Sequence, residues 1–255
     1  IEVVGLINIQ FAIKENLIFV IEVNPRASRT VPFVAKSTGI PLAAIAARIM
    51  AGEKLSSFRL QKRKSKFVSV KEAVLPFDRF PNVDPTLSPE MRSTGEVMGL
   101  DDSFEKAFLK AQMGAGVRLP EMGSVFISIK NSDKTQMILE AANILNELGF
   151  KILATKGTSI FLNGNSIQTK LVKKVFEGRP NIVDFLKDEQ VQIVFNTTEG
   201  IQALEDSKSI RSICIRSKIP YYTTAAGCNA VAKAIKANNE SEFNVYKIQT
   251  ILKDN

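Results

Sequence analysis

One short stretch near the start of the chain contains five side chains suited to binding a metal ion and phosphate. Its sequence, QFAIKENLIFVIEVNPRASR, includes Gln10, Glu22, Asn24, Arg26 and Arg29. A carboxylate with two side-chain amide carbonyls is an all-oxygen ligand set of the kind that Mg²⁺ or Mn²⁺ binds together with phosphate oxygens and water. Planar guanidinium groups match the geometry of phosphate oxygens. The residue types therefore indicate a metal ion with a polyphosphate.

A β-hairpin is the element that would bring these side chains together. Two apolar arms flank the polar segment 14–16, which is typical of two strands joined by a tight turn. A turn centred on Asn16 places Gln10 opposite Glu22, and alternation along the strand places Asn24 on the same face. The alternative is a surface hairpin whose polar residues are only solvated. A carboxylate within an otherwise apolar strand is costly, however, unless it has a partner.

Composition excludes several classes of site. The chain has 255 residues, which favours two domains. Histidine is absent, so His-based triads, His-metal sites and imidazole proton shuttles are excluded. The two cysteines, Cys214 and Cys228, are too few for a disulfide framework or a zinc cluster, and they fit a reducing cytoplasm. No apolar run reaches the roughly eighteen residues that a membrane-spanning helix needs.

The net charge of +8 is spread along the chain, with its densest part in the segment 59–66, RLQKRKSK. Clustered basic residues can bind nucleic acid. This segment has no aromatic side chain for base stacking, so a solvated loop is the favoured interpretation. We therefore expect neither nucleic acid nor a membrane as a partner.

The chain has two parts with different patterns. Before residue 121, the segments 32–50 and 104–113 have the apolar spacing of helices, residues 80–99 have a loop composition, and residues 114–120 resemble a linker. After it, short apolar strands alternate with amphipathic helices.

One helix of the second part is predicted to begin after a capping Asp133 and to end at Gly149. The strand–helix alternation predicts a parallel three-layer α/β domain with right-handed crossovers. We predict two domains, 1–120 and 121–255.

Polar clusters follow two predicted strands of the second domain. Thr155-Lys156-Gly157-Thr158 follows the strand 150–154, and Asn196-Thr197-Thr198-Glu199-Gly200 follows the strand 191–195. Ligands of parallel sheets collect at the carboxyl ends of strands. Hydroxyls, backbone N–H groups and a lysine can hold phosphate, and Lys174 in a predicted basic helix could add charge. The alternative is ordinary turn chemistry.

Longer stretches resemble the large subunit of carbamoyl-phosphate synthase. The segments IEVNPRASRTVPFVAKSTGIPLAAIAARIMAG and VKEAVLPFDRFPNVDPTLSPEMRSTGEVMG are similar to the end of the second ATP-grasp domain of that family. Biotin carboxylase and other ATP-grasp enzymes share the acidic-x-Asn core but not the continuation from Ala27 to Phe33. The resemblance implies that residues 1–120 are the C-terminal part of an ATP-grasp domain, with a mostly antiparallel sheet and helices. Because the sequence lacks an initiator Met and an upstream nucleotide pocket, we expect this fragment alone to be inactive.

The resemblance also implies a reaction, the phosphorylation of carbamate by ATP to carbamoyl phosphate for pyrimidine and arginine synthesis. The enzyme would be cytoplasmic and would work with a small glutaminase subunit. Gln10, Glu22 and Asn24 would bind the Mg²⁺ or Mn²⁺ that accompanies ATP, and Arg26 and Arg29 would stabilise charge on the transferred group. Because positioning and electrostatics dominate phosphoryl transfer, the absence of histidine is no obstacle.

The second domain resembles the methylglyoxal-synthase-like domain, which is the allosteric module of this family. The match implies that regulatory nucleotides, UMP as inhibitor and IMP as activator, are bound through Lys134, Thr155, Thr158, Lys174, Asn196 and Thr198. It also implies an ornithine site between domains, to which this chain contributes Glu72, Tyr221 and Thr223.

Two positions depart from the family pattern. Lys156 stands where enteric enzymes carry histidine, and Tyr222 replaces an acidic residue, which leaves the response to ornithine open. Formation of methylglyoxal would need a carboxylate base, and the corresponding segment 163–168, NGNSIQ, has no acid. We therefore predict a sensor domain attached to an enzyme, with a stand-alone nucleotide-phosphate-binding regulatory module as the alternative.

Overall fold

The computed structural model describes residues 2–60, 66–75, 95–240 and 243–249, apart from the side chains of residues 201, 202 and 206. The chain divides into two compact units between Val68 and Ser69, and the described residues from Asn244 onward group with the first unit. The basic residues 61–65 and the predicted loop residues 80–94 lie outside the described ranges. Within those ranges, no single helix is long and apolar enough to cross a membrane, although the first two helices together, bent by 114°, pass the same test.

The first unit begins with an antiparallel hairpin of β1 (Asn8–Lys14) and β2 (Leu17–Asn24). The turn residues Glu15 and Asn16 both have positive φ, 50° and 66°, which suits a two-residue turn between twisted strands.

Two helices follow the hairpin, α1 (Thr30–Thr38) and α2 (Leu42–Met50). The single helix predicted over 32–50 is wrong because Gly39, with φ of 71°, takes the left-handed conformation that ends α1. Pro41, just before α2, lacks the N–H that a continuous helix would need.

The second unit begins at Ser69, the second residue of β3 (Val68–Val74). β3 forms a two-stranded sheet with β4 (Gly95–Asp101), and α3 (Phe104–Gly114) packs on β4. The helix predicted over 104–113 is confirmed, whereas residues 95–99 form a strand and not a loop. The close packing requires Gly99, since a Cβ there would clash with the backbone of α3.

The core of the second unit is a five-stranded parallel sheet in the order β7-β6-β5-β8-β9. Its strands are β5 (Ser124–Ser128), β6 (Lys151–Ala154), β7 (Lys170–Leu171), β8 (Ile193–Asn196) and β9 (Tyr221–Tyr222). The helices around it are α4 (Gln136–Glu147), α5 (Lys156–Asn163), α6 (Ile182–Lys187), α7 (Ile201–Asp206), α8 (Lys208–Arg216) and α9 (Ala225–Glu240). The predicted parallel α/β architecture is confirmed.

Two apolar clusters cover the two faces of this sheet. Val125 and Ile127 pack with residues of α4 and α9, whereas Phe126 packs with residues of α6 and α8. Neighbouring strand residues point to opposite faces, so one strand contributes to both clusters. The domain therefore has three layers, with helices on both faces of the sheet.

Several local predictions need correction. The residue before α4 is Thr135, and Asp133 instead belongs to a short 3₁₀ turn. Lys174 is extended and precedes a 3₁₀ turn, so the predicted basic helix around it is wrong. Thr155 is extended, but Lys156 to Thr158 are the first residues of α5 and not a turn, because β6 ends at Ala154.

The compact units do not divide at residue 120. Helix α3 packs against α9, so the segment from Ser69 to the proposed linker joins the second unit. The compact units are defined by contacts, whereas the predicted domains, 1–120 and 121–255, are defined by family resemblance. That domain division stays a prediction.

Candidate functional site

The hairpin places Gln10 directly opposite Glu22, as predicted, but for a different reason. Lys14 pairs with Leu17, so the turn has two residues and is not centred on Asn16. The register then shifts by one residue at the step from Gln10 to Phe11. This β-bulge restores the pairing that a turn centred on Asn16 would have produced.

Asn24 lies on the same face of the hairpin as Glu22. Its side-chain NH₂ donates to Oε1 of Glu22 at 2.9 Å. Asn8 pairs with Asn24 across the strands and adds a further amide to this face. Sequence reasoning missed Asn8, although extending the Gln10–Glu22 register by two residues would have found it.

The two arginines follow the strand that carries these oxygens. The backbone N–H of Arg26 donates to the carbonyl of Asn24 at 2.8 Å, which turns the chain directly after β2. The hydroxyl of Ser28 accepts from the side chain of Asn8 and from the N–H of Thr30, both at 3.3 Å, and so ties the loop to β1 and to the start of α1. Arg26 and Arg29 are exposed at the two ends of this loop.

The chemistry of this face fits a magnesium or manganese ion that is shared with phosphate. Within the described ranges, no group of three or more His, Cys, Asp or Glu side chains could hold a metal by itself. A single carboxylate with amide oxygens suits an ion whose remaining ligands are phosphate and water. Gln10 and Glu22 are exposed, so the expected cost of burying the carboxylate does not arise in this chain.

The ends of β5, β6 and β8 are tied together by buried hydroxyls. The N–H of Ile129 donates to Oγ1 of Thr158 at 2.9 Å, and the N–H of Lys130 donates to Oγ1 of Thr197 at 3.0 Å. The hydroxyl of Thr155 donates to that of Ser128 at 3.2 Å. The predicted clusters after β6 and β8 therefore meet at one edge of the sheet, which we call the strand-end site.

One lysine lies beside the N-terminal turn of α5 at this edge. Lys134 donates to Oδ1 of Asn131 at 2.8 Å, and its ammonium lies 3.3 Å from the position that a Cβ on residue 157 would take. Gly157 thus leaves room for the lysine. Positive charge next to free helix N–H groups favours an anion.

The other predicted members of the strand-end site are more open. Lys174 is exposed, and its backbone N–H donates to Glu177 at 2.8 Å. Thr198 is half-buried next to the buried Thr197, and Lys156 is exposed.

Asn196 is the buried amide of this edge, at 3% exposure. Its side-chain NH₂ donates to the hydroxyls of Ser207 and Tyr221, each at 3.0 Å. Burial raises the pKa of Tyr221, and the hydrogen bond from Asn196 opposes the rise. A predicted nucleotide contact and a predicted ornithine contact are therefore joined directly, and sequence reasoning did not anticipate the part of Ser207.

Glu72 is held through a glutamine that sequence reasoning missed. The NH₂ of Gln112 donates to Glu72 at 2.9 Å, and its carbonyl accepts from the hydroxyl of Tyr222 at 2.9 Å. Burial raises the pKa of the Glu72 carboxyl, and the hydrogen bond from Gln112 opposes the rise. Thr223 is exposed next to Tyr222 and is not joined to this chain of hydrogen bonds.

Neither the thiols nor a cavity towards the other end of the sheet adds to these sites. Burial raises the pKa of Cys214 and of Cys228 to about 12, so both thiols stay protonated near neutral pH. A cavity of about 600 Å³ lies towards the amino ends of β5 and β6, and it is lined by Ser124, Lys151, Ile152, Leu153, Gln168, Thr169, Lys170, Phe185, Gln190 and Gln192. None of these residues belongs to the predicted metal, nucleotide or ornithine sites.

Two family models match this chain. Residues 1–58 match the family model described as "Carbamoyl-phosphate synthase L chain, ATP binding domain", and residues 137–223 match the model described as "MGS-like domain". The first match contains the hairpin face, and the second contains most of the strand-end site.

Three curated relatives, each named "Carbamoyl phosphate synthase large chain", illustrate the similarity. Identity is 52% over 252 residues with the protein of Rhizobium meliloti, 53% over 251 with that of Mesorhizobium japonicum, and 48% over 248 with that of Archaeoglobus fulgidus. These alignments cover 96–97% of this chain but 21–23% of the relatives, so the chain spans about a fifth of their length. The resemblance inferred from the motifs is confirmed.

Proposed function

We propose that this chain, which is related over nearly its whole length to the carbamoyl phosphate synthase large chains, contributes both a phosphoryl-transfer surface and a regulatory site to an enzyme of that kind. The reaction would be the ATP-dependent phosphorylation of carbamate to carbamoyl phosphate. The shared face of Gln10, Glu22 and Asn24 carries the catalytic half of the proposal.

In this proposal the hairpin face holds Mg²⁺ or Mn²⁺ through Glu22, Asn24 and Gln10. The bound ion supplies positive charge against the ATP phosphates. The hydrogen bond from Asn24 orients the Glu22 carboxylate before any ligand arrives. Arg26 and Arg29 stabilise negative charge on the transferred phosphoryl group, for which their position directly after β2 is suitable.

The regulatory half of the proposal is a nucleoside monophosphate at the strand-end site. The threonine hydroxyls and the first N–H groups of α5 donate hydrogen bonds to the phosphate, and Lys134 and Lys174 supply positive charge. UMP and IMP are the proposed effectors. Ornithine would place its amine near Glu72, with Tyr221 and Thr223 nearby, since a half-buried carboxylate favours a cationic partner.

The last part of the proposal concerns the cellular compartment, the partner subunit and the pathways. We propose that the complete enzyme works in the cytoplasm with a small glutaminase subunit and serves pyrimidine and arginine synthesis. These assignments rest on the family resemblance of the sequence motifs.

Calorimetric titration of this chain tests the regulatory half directly. We expect UMP and IMP to bind with one site per chain, and uridine, which lacks the phosphate, to bind at least about tenfold more weakly because charge-assisted hydrogen bonds are lost. A single-stranded oligonucleotide serves as the competing ligand. Steeply salt-dependent binding of the oligonucleotide without binding of UMP or IMP would contradict the proposal.

A further inference from the structure

Two neighbouring tyrosines of β9 contact two different candidate sites. The hydroxyl of Tyr221 accepts from Asn196 in the strand-end site, and the hydroxyl of Tyr222 donates to Gln112 next to Glu72. Tyr221 packs with the apolar cluster on one face of the sheet, and Tyr222 packs with the cluster on the other face. One short strand therefore has polar contacts on both sides of the sheet.

Gln112 is buried and has a hydrogen-bond partner at each end of its side-chain amide. It is 4% exposed, its NH₂ donates to Glu72, and its carbonyl accepts from Tyr222. A buried amide that loses one partner keeps the full desolvation cost of the unpaired atom. A displacement of Tyr222 is therefore followed by the amide of Gln112 and, through it, by the carboxylate of Glu72.

β9 lies at one edge of the parallel sheet. It has two residues, and among the described strands it pairs with β8 alone. Few backbone hydrogen bonds oppose a small shift of such a strand. The ring of Tyr222 also packs edge-on against Phe195 of β8, at 6.1 Å between centroids. Because Tyr221 and Tyr222 are adjacent in one strand, a shift of β9 displaces both hydroxyls.

We propose that Gln112 is a positioning residue that carries the occupancy of the strand-end site to Glu72 through β9. The inference rests on the proposed function, because it takes Asn196 as a nucleotide contact and Glu72 as an amine contact. A ligand that engages Asn196 alters its hydrogen bond to Tyr221. Tyr222 then shifts Gln112 and Glu72. The coupling acts equally in the opposite direction.

Nuclear magnetic resonance of the whole chain, labelled with ¹³C in the glutamate carboxyl groups, tests this coupling. A Glu72→Gln variant assigns the Glu72 resonance, and a pH titration gives its midpoint. Tyr221→Phe removes one of the two acceptors of the Asn196 amide without any ligand. We expect this change to move the Glu72 midpoint by about 0.4 pH units or more, a typical coupling between neighbours in one network. The movement should vanish in a Gln112→Met background.

A second variant, Tyr222→Phe, tests the same link in case the Gln112→Met chain does not fold. Tyr222→Phe keeps the ring on Phe195 but removes the donor to Gln112, so it should also abolish the response of Glu72 to Tyr221→Phe. Tyr246→Phe is the matched control, because Tyr246 is the third tyrosine of the chain and lies outside β9. It should leave the Glu72 midpoint unchanged.

Saturating UMP supplies the ligand arm of the experiment. UMP should move the Glu72 midpoint in the parent chain and leave it in place in the Gln112→Met and Tyr222→Phe chains. The proposal is overturned if the Glu72 midpoint still responds in both the Gln112→Met and the Tyr222→Phe chains. It is also overturned if Tyr221→Phe does not move the Glu72 midpoint in the parent chain. Absence of UMP binding together with an intact response to Tyr221→Phe would reject the nucleotide assignment and leave the coupling through Gln112 supported.

Discussion

The side-chain amide of Asn24 donates to the carboxylate of Glu22 at 2.9 Å, on the face of the hairpin that Gln10 shares. The carboxylate is therefore oriented within the free chain. Orientation before binding lowers the conformational entropy that a ligand must overcome, and it explains why two residues at alternate strand positions act as one unit. The first prediction concerns this pair.

Replacement of Glu22 by Gln in the complete synthase should abolish carbamate phosphorylation and leave glutamine hydrolysis intact. The change keeps the size and the hydrogen bond from Asn24 but removes the only charge among the proposed ligands. We expect synthesis of carbamoyl phosphate to fall by at least about a hundredfold, as for the loss of other electrostatic groups at reacting centres. Glu15→Gln, in the turn of the same hairpin, should have no effect. Normal synthesis by the Glu22 variant would show that the metal assignment is wrong.

Lys134→Met should weaken UMP binding to this chain by about tenfold, because a charge-assisted hydrogen bond to phosphate is lost. Calorimetry at two salt concentrations measures the effect, and the salt dependence of the affinity should become shallower. Lys170→Met is the matched control, since Lys170 lines the cavity towards the other end of the sheet. Equal affinity of the parent and Lys134→Met chains would exclude Lys134 from the site.

Two glycines where α3 packs on β4, Gly99 and Gly114, should respond oppositely to replacement by alanine. A Cβ at Gly99 would overlap the backbone of Ala107, so Gly99→Ala should destabilise the chain by about 1–3 kcal/mol or more. A Cβ at Gly114 meets Val97 at an ordinary 3.4 Å, and alanine there improves helix propensity by up to about 1 kcal/mol. Urea denaturation of both variants measures the free energies of unfolding. Similar losses in the two would contradict the close approach of α3 to β4.

Glu72 should make the folded chain relatively less stable at neutral pH than in mild acid. Burial raises its pKa above the ordinary 4.5, so the folded state binds the proton more tightly than the unfolded state. Below pH 4.5 both states are protonated and the group contributes nothing. As pH rises through the folded pKa, the folded state carries the cost of a half-buried charge.

Glu72→Gln removes that cost and keeps an acceptor for Gln112. Its free energy of unfolding relative to the parent chain should therefore increase from pH 4 to pH 7, with a small amplitude because the carboxyl is partly solvated. A flat profile for Glu72→Gln over the same range would falsify the environment assigned to this carboxyl.

Local patterns predicted most of the elements and misplaced their ends. The strand–helix alternation after residue 121 correctly indicated a parallel sheet, because a parallel pair needs a long crossover that leaves a visible helical period. The single helix predicted for 32–50 failed at Gly39, since apolar spacing continues across a left-handed residue that ends the helix. The predicted Gln10–Glu22 pair is present although the turn was predicted in the wrong place. The β-bulge after Gln10 shifts the register by one residue and so cancels the error in the turn.

The sequence by itself determined the residue types, the hairpin, the order of strands and helices, and the family resemblance, because each is written in neighbouring residues. Only the tertiary structure decided that Gln112 joins Glu72 to Tyr222, across separations of 40 and 110 residues, and that Asn196 meets Tyr221. Which polar groups find one another in the interior depends on how β9, α3 and β3 pack together. Periodicity shows which face of each element is apolar, but it carries no information on which buried donor will lie beside which acceptor.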